Sequence, residues 1–82
     1  MTFVVDEREY ELLRAGDADG MALELWLVGA PDGPIAQVYY RDSDGLMTFS
    51  AFVHDVPFEL IEKLVSDARE ALTPTASVKG EE

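Results

Sequence analysis

The single histidine of the chain, His54, followed by Asp55, is the first residue that invites chemistry, because general-base catalysis needs an imidazole held beside a nucleophile or an acid. The chain has no cysteine, and Ser50 and Ser66 stand at uninformative spacings, so the expected role of His54 is that of a junction residue with a local hydrogen bond. One histidine among scattered carboxylates supplies no tetrahedral metal set. Asp17-x-Asp19-Gly20 and Asp42-x-Asp44-Gly45 share features with calcium loops, which need alternate oxygen ligands, a glycine at the sharp turn and a later bidentate glutamate. The third aspartate and the glutamate are missing, which leaves hairpin turns, where Asp and Gly tolerate positive φ. The Gly29 to Pro34 segment lacks the glycine spacing and the following lysine of a phosphate loop. No catalytic, cofactor-binding or metal-binding residue is assigned, and an enzyme is not expected.

These turn signals divide the chain into elements. Between them, residues 21 to 28, 35 to 41 and 46 to 53 alternate with period two, as strands of a half-covered sheet do. If Asp44-Gly45 is a two-residue type I′ turn, Tyr40 opposes Phe49; if Val28 opposes Ile35, Leu27, Leu25 and Leu23 meet Ala36, Val38 and Tyr40 on one apolar face. A fourth strand over about 9 to 14 adds Tyr10 and Leu12, and its Arg8, Glu9 and Glu11 suit a sheet edge. Phe3 to Val5 either begin that strand or form a short one of their own. After residue 54 the period becomes helical: Phe58, Ile61, Leu64, Val65, Ala68 and Leu72 form a stripe, Asp55 and Pro57 mark the start, and Thr73-Pro74 mark the stop. The expected fold is α+β, an antiparallel meander of about four strands with one C-terminal helix, about 57 to 72, on one face. It forms a single domain over 1 to 73 with a loose tail over 74 to 82.

Composition restricts the partners. The 82 residues hold 17 Asp and Glu against 6 Lys and Arg, a net charge of −11, which repels phosphate backbones and argues against direct nucleic-acid binding. No apolar run reaches the ~20 residues of a membrane helix, and no basic-then-apolar start reads as a signal peptide. With no cysteine besides, a cytoplasmic setting is expected.

One helix covers one sheet face, and the expected register puts Trp26, Gln37 and Phe52 in a row on the other. Tyr39 and Ser50 form the next row with Glu24 nearby, followed by Arg41 and Thr48, while Val28 and Ile35 flank the far end. Trp and Phe on a sheet face that normally carries Thr, Lys and Glu have three explanations: cover by the N-terminal segment, pairing with a second copy, or a different protein. The helix's outer side, with Glu59 and Glu62, is a solvated face or a second recognition surface. Together, Trp26, Gln37, Tyr39, Phe52, Glu24, Arg41, Glu59 and Glu62 are the candidate partner-binding residues. The expected function is a small acidic binding module, an inhibitor that occludes a basic, nucleic-acid-acting protein. It resembles immunity proteins, antitoxins and anti-defence proteins in physical character, without a shared motif. The alternative is a homodimeric structural or accessory protein that uses the aromatic sheet face as its interface.

Overall fold

Five strands and one helix follow in chain order: β1 (Thr2–Val5), β2 (Arg8–Gly16), β3 (Gly20–Leu27), β4 (Ala36–Arg41), β5 (Met47–Ala51) and α1 (Phe58–Leu72). The computed structural model describes residues 2–30 and 32–72, so the tail expected over 74 to 82 lies outside the described residues. The strands form one antiparallel meander in the order β1-β2-β3-β4-β5. The α+β class holds, with five strands in place of about four.

The extra strand comes from a turn without glycine. Asp6 and Glu7 both take positive φ, 53° and 64°, the pair of conformations that a two-residue type I′ hairpin demands. Phe3 thereby pairs with Tyr10 and Val5 with Arg8, and β1, not β2, forms the sheet edge. Glu7 pays for a left-handed backbone that glycine adopts freely. Glu7→Gly is therefore expected to stabilise the fold by about 0.5–1 kcal/mol, read as a higher urea midpoint at unchanged slope.

The other two expected registers each shift by two residues. Asp44 does not adopt the positive φ that a type I′ turn at Asp44-Gly45 requires; only Gly45 does, at 73°, with its N–H on the Arg41 carbonyl. The loop therefore spans 42 to 45, and Val38 pairs with Phe49 and Tyr40 with Met47. Across the other hairpin Leu25 pairs with Ala36 and Leu23 with Val38. Pro34 can donate no ladder bond, and the chain re-enters the sheet at Ile35, whose N–H donates to the Leu25 carbonyl although the register partner of Leu25 is Ala36. Two residues thus meet one, as in a β-bulge, and Ile35 turns to the core instead of flanking the outer face. A shift of two keeps every other residue on its expected face, since side chains alternate with period two.

The core lies between the sheet and α1. Tyr10, Leu12, Leu23, Leu25, Ala36 and Val38 meet Leu60, Leu64, Ala68 and Leu72 of the helix. Helix burial repeats every four residues from Leu60, so the stripe is rotated from the expected one: Leu60 is fully buried, whereas Phe58 is 72% exposed. The helix rests on β3 and β4. Lys63 reaches back over the Phe3 ring at 5.6 Å and ties α1 to β1.

Candidate interaction surface

The face opposite the helix is built by the odd residues of β2 and β4 and the even residues of β3 and β5. Glu11 pairs there with Trp26, Leu13 with Glu24, Ala15 with Ala22, Glu24 with Gln37, Ala22 with Tyr39, Gln37 with Ser50 and Tyr39 with Thr48. Glu24, Gln37 and Ser50 thus form one row, and Ala22, Tyr39 and Thr48 the next. The expected row of Trp26, Gln37 and Phe52 does not form: Gln37 moves beside Glu24, while Trp26 and Phe52 flank the bulge at Ile35, with the Phe52 N–H on the Ile35 carbonyl. Residues 2 to 8 do not cover this face. They lie in the plane of the sheet, and Val4 is exposed.

Two aromatic side chains are held by carboxylates. Trp26 Nε1 donates to Glu24 Oε1 at 3.0 Å, a contact between neighbours on one face of β3. Tyr39 lies across Gly20, where an added Cβ would stand 2.1 Å from the Tyr40 carbonyl oxygen and 2.8 Å from the Tyr39 hydroxyl. Only glycine fits beneath that ring. The Tyr39 hydroxyl then reaches Asp17 Oδ1 at 3.1 Å, and the same oxygen accepts the N–H groups of Asp19 and Gly20 at 2.8 and 2.9 Å. These donors, the Asp19 N–H foremost and the Tyr39 hydroxyl next, hold the Asp17 carboxyl below its usual range. Partial burial, followed by the Asp17 hydrogen bond, pushes the Tyr39 phenol up.

Charge is sorted between the two sides. Glu9, Glu11 and Glu24 point to the open face. Among the described residues, Arg41 is the one cation that accompanies them, and its guanidinium donates through Nε and Nη2 to the two oxygens of Asp44. Arg8 and Arg14 pair with Val5 and Leu23 on the helix side, and Lys63 and Arg69 belong to α1. Arg41, with help from the Leu46 N–H, lowers the Asp44 carboxyl to about 2. A lowered folded-state value means that the unfolded chain takes up its proton first. The contribution of this pair is therefore present above pH ~4 and is lost as pH falls towards 2. In Arg41→Gln the Asp44 titration midpoint should move up towards the ordinary carboxylate range, measured by carboxyl carbon chemical shifts.

The structure thus gathers Glu24, Trp26, Gln37, Tyr39 and Arg41 on one face, with Phe52 at its rim. It places Glu59 and Glu62 on the exposed side of α1, across the sheet from Trp26, so they cannot share one contact patch with it. Leu13, exposed on the open face, and Asp17, which anchors Tyr39, join the surface; the alternation of β2 carried the signal for the first. His54 is exposed in the bend before the helix, and among the described residues no three His, Cys, Asp or Glu groups converge as metal ligands. No helix among them is long and apolar enough to cross a membrane. Comparisons with protein families, curated proteins and solved structures found no match to this chain.

Proposed function

We propose that this chain is a small acidic binding module that acts by contact, without catalysis, in a cytoplasmic setting. Its open sheet face occludes a basic protein that works on nucleic acid, as an inhibitor of the immunity, antitoxin or anti-defence type does. The observation that carries this reading is the sorting of charge: Glu9, Glu11 and Glu24 surround a face whose single described cation is already bound to Asp44. Carboxylates so arrayed can stand in for phosphates in a positive cleft. Trp26 and Tyr39, held by Glu24 and Asp17, and the exposed Leu13 supply an anchor that loses little side-chain freedom on binding. A second copy fits this face poorly, because stacking two such faces sets carboxylate against carboxylate.

The test is affinity selection from the source cell's lysate with wild type and Trp26→Ala, washed at low and at ~0.5 M salt. A basic partner retained by wild type, weakened by salt and dissociating about 30-fold faster from Trp26→Ala is the expected result. A partner that is acidic, or is held equally by both forms at both salts, overturns the proposal.

A further inference from the structure

We infer that β5 is a self-complementary sheet edge through which two copies of this chain join antiparallel into one continuous sheet. The inference is independent of the open face, which such a dimer leaves uncovered on both copies. Residues 46 to 53 contain no charged side chain and no proline, the two devices by which sheet edges usually repel other strands. Phe49 and Val53 are about half exposed there, and Phe58 stands on the flank of α1 that carries Val65 towards β5. The opposite edge is guarded. β1 leads into the Asp6-Glu7 turn and runs beside Glu9 and Glu11, so a second acidic chain is repelled from it.

The hydrogen-bonding groups of β5 fix the pairing. Phe52 donates its N–H to Ile35, and Leu46 accepts from Arg41, so the even residues of this segment face β4. The peptide groups of Met47, Phe49 and Ala51 therefore point away from the sheet. An antiparallel twofold pairing centred on Phe49 uses all of them in about six hydrogen bonds, two for each odd-numbered pair. In that register Phe49 meets its own copy, Met47 meets Ala51, Thr48 meets Ser50, and Leu46 meets Phe52. Bulk opposes a small residue, hydroxyl opposes hydroxyl, and apolar opposes apolar. The symmetry also keeps α1 of both copies on one side of the joined sheet. Among the described residues, Arg69 of α1 is the one charged residue lining the pocket beside Met47 and Phe49, so a charged partner strand finds little to recognise along this edge, whereas the same strand of a second copy matches from Leu46 to Phe52.

The measurement is sedimentation velocity on the full chain from ~10 μM to ~0.5 mM, at 0.05 and 0.5 M salt. The dimer should form in this range and tighten severalfold at the higher salt, which screens the like charge of the two copies. Heterologous binding by the open face weakens with salt, so failure of one reading is distinguishable from failure of the other. Phe49→Glu and Phe49→Lys should each lose the dimer, with affinity falling about 30-fold or more, and an equimolar mixture of the two should restore it as a heterodimer. Amide exchange needs no variant: the Met47, Phe49 and Ala51 N–H groups should gain protection with concentration, whereas Thr48 and Ser50 are protected throughout. A wild type that stays monomeric to ~0.5 mM at both salts, or exchange of those three amides that is independent of concentration, overturns the inference, as does a Phe49→Glu variant that dimerises like wild type.

Discussion

Leu64→Ala lowers the unfolding free energy by about 3–4 kcal/mol and the melting temperature by roughly 12–32 °C. Leu64 lies at the middle of the helix and, like Leu25 and Leu60, is fully buried. Its truncation removes the side chain on which α1 seats over β3 and β4, and a 15-residue helix held by one apolar stripe cannot shift to refill the void without unseating Leu60 or Ala68. The better helix propensity of alanine offsets only a few tenths of a kcal/mol. A domain of this size has a total stability of roughly 4–11 kcal/mol, and crowding among the 17 carboxylates of the chain reduces it, so the loss approaches the whole margin. Phe58→Ala, at the exposed start of the same helix, should change stability by less than about 0.5 kcal/mol, although sequence alone places both residues on one stripe. Urea unfolding followed by far-UV circular dichroism checks both; equal effects of the two substitutions would mean that the helix docks by a different face.

The two substitutions also show which parts of the fold could be read from the residues. Alternation over β3, β4 and β5 and the helical period after residue 54 identify the elements, because burying one face of each is the dominant free-energy term. Faces were legible for the same reason: a strand moved by two residues still buries the same set. Exact partners depend instead on local turn energetics that composition does not encode. The Arg41 side chain and the Leu46 N–H both bind Asp44, drawing the loop out to four residues and shifting its centre by one position. Pro34 forces the re-entry bulge that turns Ile35 inwards and leaves Gln37 beside Glu24. The β1-β2 hairpin turns on Asp6-Glu7, which contains no Gly, Asn or Pro signal, so the sequence leaves open whether Phe3 to Val5 begin β2 or form a strand of their own, and the structure shows the latter, with β1 replacing β2 at the edge. Phe58 and Leu60 differ in burial because two positions on a helix lie about 200° apart, so the stripe that runs from Leu60 through Leu64, Ala68 and Leu72 turns Phe58 away from the core. Of the candidate surface, the aromatic and acidic members of the sheet face were legible from parity. The grouping of Glu59 and Glu62 with them was not supported by placement, since a helix on one side of a sheet cannot present its outer charges on the other.

That separation makes charge reversal on the two sides the sharpest functional prediction. Glu9→Lys with Glu11→Lys, and Glu62→Lys with Glu70→Lys, each move the net charge from −11 to −7, since each substitution changes it by two units. If acidity acts only through overall charge or solubility, both pairs should alter association with the captured basic partner alike. If the open face docks, only the first pair inverts the local field where the partner lands, and its association rate should fall by about tenfold or more at low salt. The second pair lies beyond the sheet and the core, farther from the contact than the ~10 Å Debye length at 0.1 M salt, and should change that rate by less than about twofold. Dissociation should respond little to either pair, because Trp26, Tyr39 and Leu13 remain in place; Glu24 is left untouched since it holds the Trp26 ring. Stopped-flow association at three ionic strengths reads both rates. A flatter salt dependence confined to the first pair assigns the function to the open face, and an equal response from the second pair removes the geometric basis for that assignment.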